Sequence, residues 1–321
     1  MHIYRHLSEL PPAGAPVVAT IGNFDGVHLG HRFVIAEVID RARFLGGTSI
    51  AITFDPHPGR VLRPEISTRL LTPTQCKLEL LAETGLDATL VLPFTQELCH
   101  TSARDFAANI LVGGVHITEI HEGDNFRFGY HAEADINSLA GLGRELGFQT
   151  VAYAPRTLRG EPVSSSRIRA LLEIGNVSAA RALLGRPFSI VSRPAQGRGY
   201  GTRYTVPTIN LAPYAELLPQ NGVYISTLRV SDGPDAQTFE AVTNVGNRPT
   251  FGADSFAVES HLLNFQPISL SEQTPLRLSF LQRLRGEQRF PSPDALLAQI
   301  RQDVLRARRY FDLCRAMQLE L

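Results

Sequence analysis

Short apolar or β-branched segments alternate with longer segments of helical spacing through the first half of the chain. The apolar segments predict buried strands at residues 16–21, 48–54, 88–92, 115–120 and 149–153. The segments between them predict helices at about 31–45, 74–84, 102–112 and 135–146. This alternation is typical of a parallel sheet covered by helices on both faces, so the first half is predicted to be an α/β domain.

The pattern changes after residue 185. Two shorter helical segments, 166–174 and 177–184, end at Leu184-Gly185-Arg186-Pro187, where glycine and proline favour a break. Beyond it, β-rich segments between turn residues predict six strands, at 188–193, 203–210, 222–230, 237–244, 256–265 and 276–284. We therefore predict two domains, 1–185 and 186–321, the second an antiparallel β-barrel.

A last helical segment covers residues 293–311. Its apolar positions form one stripe, which contains Leu296, Leu297, Ile300, Val304 and Leu305. The stripe predicts a terminal helix that packs on the barrel.

Composition limits the classes of partner. The 321 residues agree with two domains of about 150 residues each. Equal numbers of basic and acidic residues, 31 of each, argue against the basic surface of a nucleic-acid-binding protein. Three dispersed cysteines, an N-terminus unlike a signal peptide and the absence of a long apolar segment favour a cytoplasmic protein without a membrane partner. Lys77 is the one lysine.

The most informative stretch is Gly22-Asn23-Phe24-Asp25-Gly26-Val27-His28-Leu29-Gly30-His31, which joins the first strand to the first helix. The N-terminus of a helix attracts anions, and glycines allow a ligand to approach the backbone. Two histidines three residues apart can both face a nucleotide phosphate, where they would stabilise charge that develops during displacement at phosphorus. His28 and His31 are therefore candidate catalytic residues.

This His-x-Gly-His sequence resembles the signature of the nucleotidylyltransferase superfamily, which class I aminoacyl-tRNA synthetases share. A synthetase would be expected to carry a lysine-rich Lys-Met-Ser-Lys-Ser-like loop, and this chain has one lysine. Its later motif is Val163-Ser164-Ser165-Ser166-Arg167, at a loop-to-helix junction. Hydroxyls there can cap a helix and hold phosphate oxygens while arginine neutralises charge.

Three further segments narrow the family: Phe54-Asp55-Pro56-His57-Pro58, Gly123-Asp124-Asn125-Phe126-Arg127-Phe128-Gly129 and Ser164 to Arg169. In this order they resemble the FMN adenylyltransferase module of bacterial bifunctional riboflavin kinase/FAD synthetases. The phenylalanines of the second segment are ambiguous between flavin stacking and core packing. The resemblance implies that nucleotide or flavin is bound by Gly22, Asn23, Phe24, Gly30, Pro56, His57, Pro58, Asn125, Phe128, Ser164, Ser165, Ser166 and Arg167.

The second half resembles the kinase module of the same family. Val206-Pro207-Thr208-Ile209-Asn210 resembles its Pro-Thr-x-Asn motif, and residues 244–251 and 258–261 resemble its later segments. On a strand, Thr208 and Asn210 share one face, where they could ligate Mg²⁺ bound to ATP. The resemblance implies that Glu259 is the base that takes the proton of the riboflavin 5′-hydroxyl and that Arg248 binds substrate.

The resemblance thus implies that ATP phosphorylates riboflavin to FMN and that a second ATP adenylylates FMN to FAD. The sequence departs from the family pattern at Thr205, where a glycine is usual, and this leaves the phosphate-loop contacts of 197–205 open. It also departs at Ala134 and Ser166, and neither of these changes removes a reacting group. Two alternatives remain: a tRNA-ligating enzyme with the same histidine motif, or a non-catalytic protein that binds flavin or nucleotide.

Overall fold

The structure is a computed structural model that describes residues 1–12, 14–66, 68–195, 208–232, 236–247, 256–265 and 270–319. The chain divides into two compact units, Met1–Ser165 and Ser166–Leu321. Our sequence boundary at Gly185 therefore differs from the division by packing, which assigns most of residues 165–184 to the second unit.

The first unit is built on a six-stranded sheet. Its strands and two additional hairpins are β1 (His2–Tyr4), β2 (Val17–Ile21), β3 (Thr48–Asp55), β4 (Ala88–Pro93), β5 (Glu119–Gly123), β6 (Arg127–Phe128), β7 (Ala134–Asp135), β8 (Gln149–Tyr153), β9 (Thr157–Leu158) and β10 (Glu161–Pro162). The sheet has the order β1-β4-β3-β2-β5-β8, and every neighbouring pair is parallel. The predicted parallel α/β fold is confirmed.

Helices cover both faces of this sheet. They are α1 (Leu29–Leu45), α2 (Pro58–Leu62), α3 (Thr74–Ala82), α4 (Gln96–Cys99), α5 (Ala103–Asp105), a π-helical segment Phe106–Val112, and α6 (Ile136–Leu146). Because strand residues alternate between faces, Val18 packs in the cluster that contains Ile35 of α1, whereas Ala19 packs in the cluster that contains Leu139 of α6. Two apolar cores, one on each face, fix the strand ends relative to the helices.

The fourth predicted strand, 115–120, was placed too early in the chain and overlaps the observed strand only at Glu119 and Ile120. The strand is Glu119–Gly123, and the buried residues Val115 and Ile117 instead close the preceding helical segment, through bonds from their N–H groups to the carbonyls of Ile110 and Leu111. The hydropathy pattern did not indicate β5, because three of its buried residues, Glu119, His121 and Glu122, are polar or charged. The edge strand β1 was not predicted.

The second unit contains a six-stranded antiparallel sheet. Its described elements are α7 (Ser165–Glu173), α8 (Val177–Leu184), β11 (Phe188–Ser192), β12 (Thr208–Leu211), β13 (Gly222–Val230), β14 (Gln237–Asn247), β15 (Phe256–Leu262), β16 (Leu276–Arg285) and α9 (Pro293–Ala316). The strand order is β11-β16-β13-β14-β15-β12. The two edges meet beyond β11, where the N–H of Ala195 donates to the carbonyl of Asn210 at 2.8 Å. The antiparallel, barrel-like fold predicted for this half is confirmed.

Helices α8 and α9 pack on this sheet. Helix α8 contacts β16 and β11, and the hydroxyl of Ser178 donates to the carbonyl of Leu281. Helix α9 is a helix that begins at Pro293, as predicted, but its buried face contains Ala307, Phe311 and Cys314 rather than the predicted stripe. The predicted stripe was wrong at Ile300 and Leu305, which are 36% and 65% exposed, and Asp303, which pairs with Arg285, is buried instead.

Candidate functional site

The His-x-Gly-His stretch lies where the strand order of the first sheet reverses. From β2 the chain proceeds to β3 and β4 on one side, and later to β5 and β8 on the other. Strands β2 and β5 pair only through Val18 and Ala19 and then diverge. In open α/β sheets, ligands bind in the crevice at the carboxyl ends of such strands. The loop of residues 22–28 occupies this position.

This loop is held in an unusual backbone conformation. Phe24, Gly26 and Val27 have φ angles of 46°, 86° and 38°, which lie in the left-handed region. For a β-branched residue such as Val27 this conformation is strained by about 1–3 kcal/mol, so the surroundings must stabilise it. The side chains of Phe24 and Val27 are buried, and the Asp25 carboxylate accepts bonds from the backbone N–H groups of Leu71 and Thr72. Such strain is frequent at ligand sites.

The two histidines lie at the N-terminus of α1. His28 is the N-cap residue, and its Nδ1 accepts the backbone N–H of His31 at 3.3 Å. The two imidazoles stack with their centroids 3.6 Å apart and their planes 15° from parallel. Nδ1 of His31 is buried and has no hydrogen-bond partner among the described residues. A buried polar atom without a partner is rare in proteins and suits a ligand oxygen.

Burial lowers the pKa of His31 well below its usual value, and the nearby His28 and Lys77 lower it further. The imidazole is therefore neutral at physiological pH in the free protein. A neutral imidazole can donate or accept one hydrogen bond at each nitrogen without adding charge beforehand. A polyanionic ligand would raise this pKa, because it favours the protonated form.

The serine-rich loop reaches the same place. The hydroxyl of Ser165 donates to the carbonyl of Asp25 at 2.8 Å. A Cβ at Gly30 would lie 3.2 Å from the His28 ring and 3.4 Å from the carbonyl oxygen of Val163, so glycine permits this close approach. Ser164 is half-buried beside them. Ser166 and Arg167, the second and third residues of α7, belong to the second unit, where Ser166 is exposed and Arg167 half-buried.

The loop after β3 lies next to the loop after β2. The N–H of Gly22 donates to the carbonyl of Ile52 at 3.0 Å, which fixes the start of the histidine loop against β3. In the Phe54-Asp55-Pro56-His57-Pro58 stretch, His57 is the N-cap of α2, and its Nδ1 accepts the N–H of Gly59 at 3.0 Å. Pro56 is exposed and Pro58 opens the helix. His57 therefore has a structural role at the rim of the site.

The loop after β5 contributes exposed polar residues, among them Asn125, and two aromatic rings. Phe128 is only 9% exposed, packs in the core and pairs with Ala134 across the β6–β7 hairpin. Phe126 is half-buried and stacks on Phe128 with the planes 17° apart. Of the two rings, Phe126 is therefore the more accessible.

Sequence reasoning missed Glu122, which lies in the gap between the diverging strands. Its Oε1 accepts the N–H of Ile21 and, at 3.2 Å, the hydroxyl of Thr20. Burial raises the pKa of this carboxyl well above its usual value, and these hydrogen bonds oppose the rise. Glu122 thus satisfies the backbone N–H of Ile21 beyond the last residue pair of β2 and β5. The sequence pattern does not identify Glu122, because β5 contains charged residues and lacks the apolar run expected of a buried strand.

A cavity of about 330 Å³ opens at the carboxyl end of β8. Its walls include Phe33 of α1, Tyr153 and Arg156. The Arg156 guanidinium lies 3.7 Å from the centroid of the Phe33 ring, and Tyr153 meets the same ring edge-on. Aromatic and cationic walls suit a planar ring attached to phosphate.

The second candidate site lies on one face of the antiparallel sheet. In the register of β12 and β15, Asn210 lies opposite Glu259, and Thr208 lies opposite His261. Directly opposed residues of antiparallel strands point to the same face, so the hydroxyl, amide and carboxylate share one side of the sheet. Val258 and Ser260, the neighbours of Glu259, are buried on the other side.

The same face carries further polar groups that sequence reasoning did not select. Asn244 of β14 lies opposite Glu259 on the side away from Asn210. Its motif was noticed in the sequence, but only the strand register shows that it faces the carboxylate. Burial lowers the pKa of His261, and the positive charge of Arg308 on α9 lowers it further. Arg248 and Thr205 lie outside the described residues.

The oxygen atoms of this face fit a magnesium ion. Thr208 and Asn210 offer hydroxyl and amide oxygens, and Glu259 offers a carboxylate one strand away. Mg²⁺ prefers oxygen ligands and is commonly held by only one or two side chains together with substrate phosphates. Among the described residues there is no group of three or more histidine, cysteine, aspartate or glutamate side chains placed to hold a metal.

Comparison with known proteins finds a matching family for each half of the chain. The family described as FAD synthetase matches residues 11–167, and the family described as riboflavin kinase matches residues 184–311. Within the described residues, no helix is long and apolar enough to cross a membrane.

Full-length relatives are also found. The bifunctional riboflavin kinase/FMN adenylyltransferase of Pseudomonas fluorescens is 36% identical, over 96% of this chain and 97% of its own. The protein of the same name from Escherichia coli K12 is 33% identical over 96% of each chain. A solved structure described as a macrolide-efflux protein of Streptococcus pneumoniae aligns with a TM-score of 0.83 over 95% of this chain and 98% of that one. At 23% identity this last likeness shows the fold alone.

Proposed function

This chain belongs to the family of bifunctional riboflavin kinase/FMN adenylyltransferases, and from that premise we propose which of its residues carry each reaction. ATP phosphorylates riboflavin to FMN in one reaction, and ATP adenylylates FMN to FAD with release of pyrophosphate in the other. The family assignment removes the two alternatives that the sequence left open, a tRNA-ligating enzyme and a non-catalytic flavin- or nucleotide-binding protein.

We propose that residues 1–185 carry adenylyl transfer and residues 186–321 carry the kinase reaction. The observation that carries the first assignment is the buried Nδ1 of His31, which has no partner in the described part of the chain and lies at the helix N-terminus beside the switch point. A stacked histidine pair there would hold the phosphate oxygens of ATP while FMN attacks the α-phosphorus. Gly22, Asn23, Phe24 and Gly30 shape this loop, and the backbone N–H groups of α1 supply further donors.

The remaining contacts of the adenylyltransferase site are assigned by position. Ser164 and Ser165 would bind phosphate oxygens from the loop that hydrogen-bonds to Asp25. Ser166 follows on α7 and would hold a phosphate oxygen through its hydroxyl, and Arg167 would neutralise charge. Asn125, Pro56, His57 and Pro58 line the rim, and Phe128 supports the half-buried Phe126 as a surface for the flavin ring.

For the kinase reaction, Glu259 would take the proton of the riboflavin 5′-hydroxyl. Its place opposite Asn210 puts the base next to the residues that would hold Mg²⁺, which are Thr208 and Asn210. When bound, the ion would neutralise charge on the ATP phosphates. Arg248, which lies outside the described residues, would bind substrate, as its motif implies. The balanced charge of the chain supports small molecules rather than nucleic acid as partners. Its three dispersed cysteines and the lack of a long apolar segment support a cytoplasmic location without a membrane partner.

The metal assignment is tested with Thr208→Val and Asn210→Ala. Each variant should raise the Mg²⁺ concentration needed for half-maximal FMN formation by about fivefold or more, as expected when one ligand or hydrogen bond of about 1 kcal/mol is lost. FAD formation from supplied FMN should keep its magnesium dependence, because that site lies in the other unit. An unchanged magnesium requirement for FMN formation in both variants would remove these residues from the metal site.

A further inference from the structure

The single lysine of the chain lies beneath the adenylyltransferase loops. Lys77 is in the first turn of α3, and it is only 4% exposed. Its Nζ donates to Thr53 Oγ1 at 2.9 Å, to the carbonyl of Phe54 at 3.2 Å and to the carbonyl of Asn23 at 3.3 Å. The ammonium group has three N–H donors, and these three acceptors account for all of them.

These acceptors belong to the two loops that build the site. Asn23 lies in the histidine loop after β2, and Thr53 and Phe54 lie where β3 passes into the Phe54-Asp55-Pro56-His57-Pro58 stretch. One buried charge therefore joins the two loops at their bases. Because no N–H remains for a substrate, Lys77 acts on the reaction through the loops.

The segment that carries Lys77 holds the same loops at other points. The backbone N–H groups of Leu71 and Thr72 donate to the Asp25 carboxylate, and Thr72 Oγ1 accepts the N–H of Gly26 at 3.0 Å. The hydroxyl of Thr74 donates to Asp55 Oδ1 at 2.9 Å. Residues 70–77 therefore form a frame along which Lys77 supplies the only charged donor among these bonds.

Composition also singles out this position. Thirty of the 31 basic residues are arginine, and the exception is here. A compact ammonium with three tetrahedral donors fits three converging oxygens in a buried space, whereas the planar guanidinium is larger and its donors lie in one plane. Lysine therefore suits this geometry better than arginine does.

We propose that Lys77 is a positioning residue for adenylyl transfer. Its ammonium group holds the histidine loop against the loop after β3, and this places His28 and His31 correctly for contact with the nucleotide. This proposal rests on the assignment of adenylyl transfer to the first unit. A misplacement of reacting groups by about 1 Å can lower a rate by ~10²-fold, so a residue that fixes two loops can matter without touching substrate.

The ionisation of Lys77 provides a signature that a purely structural role would not give. Burial lowers the pKa of Lys77 to about 8, and the carboxylates of Asp25 and Asp55, which face it from the two loops, oppose this effect. The charge of Lys77 also lowers the pKa of His31 on α1, which burial already holds well below its usual value. Above pH 8 the neutral amine has two donors for three acceptors. The kcat/KM for ATP in FAD formation should then fall.

The experiment compares Lys77→Met and Lys77→Arg with the wild type. We expect Lys77→Met to lower kcat/KM for ATP in FAD formation by ~10²-fold at pH 7, with FMN formation by the same chain unchanged. Lys77→Arg keeps its charge at every pH used, so any activity that it retains should not decline between pH 7.5 and 9 as that of the wild type does. Arg41→Met is the matched control, because it breaks the Arg41–Glu119 pair near the other end of α1 and reports loss of stability alone.

Rates are expressed per folded protein, measured by circular dichroism at the assay temperature. Wild-type kcat/KM in Lys77→Met, or the same pH decline in Lys77→Arg as in the wild type, would overturn the proposal. If Lys77→Met does not fold, Thr53→Val decides: it removes one acceptor from the buried ammonium, and it should lower FAD formation about fivefold while leaving FMN formation intact. Wild-type protein that forms FMN but no FAD would contradict the proposed function instead.

Discussion

Replacing the two stacked histidines by phenylalanine should have opposite effects on stability and the same effect on FAD synthesis. In His31→Phe, the aromatic ring keeps its stack, and the substitution removes a buried nitrogen for which the described residues offer no partner. In His28→Phe, the ring also keeps the stack but loses Nδ1, which accepts the backbone N–H of His31 at the start of α1. The two substitutions are therefore matched in size and differ in hydrogen bonding.

The magnitudes follow from those two atoms. An unsatisfied buried polar group costs about 1–3 kcal/mol, so His31→Phe should raise the free energy of unfolding of the first unit, by about 1 kcal/mol after some crowding by the larger ring. Loss of an N-cap acceptor costs about 0.5–2 kcal/mol, so His28→Phe should lower it. For a unit of this size, each 1 kcal/mol corresponds to a shift of about 2–4 °C in the unfolding temperature.

Differential scanning calorimetry of the full chain measures both shifts, and it can separate two transitions if the units unfold independently. Both variants should lower FAD formation from supplied FMN by ~10²- to 10³-fold, as expected when one donor to a developing charge is lost. A decrease in unfolding temperature of His31→Phe as large as that of His28→Phe would refute the claim that Nδ1 of His31 is kept unpaired for a ligand. Wild-type FAD formation in either variant would refute its role in the reaction.

Two further predictions concern stability. Because the folded pKa of Glu122 is raised, the folded state retains a proton that the unfolded state loses near pH 4.5, and the free energy of unfolding should fall as pH rises through the folded pKa. Glu122→Gln, which keeps an acceptor oxygen, should flatten this dependence in urea unfolding at pH 5 and 8 and should be the more stable protein at pH 8. A parallel pH dependence of the free energy of unfolding in both proteins would contradict this prediction. A fragment of residues 166–321 should form FMN and unfold at a higher temperature than a fragment of residues 186–321, because α8 buries Val177, Leu183 and Leu184, each worth about 1.5–3 kcal/mol; equal unfolding temperatures would show that α7 and α8 contribute nothing to the second unit.

The sequence predicts the parts of the structure that depend on local pattern. Buried strands such as β3 and β4, and the helix α1 that follows the histidine loop, are marked by hydrophobic spacing and by an N-cap. The strand β5 was misplaced because tertiary contacts, such as the Arg41–Glu119 pair and the hydrogen bonds of Glu122, compensate for its buried charges. Pattern alone cannot show such compensation, since the partners lie about 80 to 100 residues away.

The site shows the same division between local and long-range information. Motifs identify His28, His31 and Glu259, because each lies in a distinctive stretch. They do not identify Lys77, whose importance comes from three acceptors on two other loops, or Asn244, whose direction is set by strand register. Buried residues that act through hydrogen bonds to distant backbone become visible only in the folded chain.

The central claim is that two independent sites make FMN and then FAD. It is tested most directly by incubating the wild type, Glu259→Gln and His31→Phe with riboflavin and Mg-ATP and resolving riboflavin, FMN and FAD over time. The wild type should accumulate FAD by way of FMN, and His31→Phe should stop at FMN. Glu259→Gln should form FMN at least ~10²-fold more slowly and still convert added FMN to FAD. Loss of both reactions together in either folded variant would contradict the account.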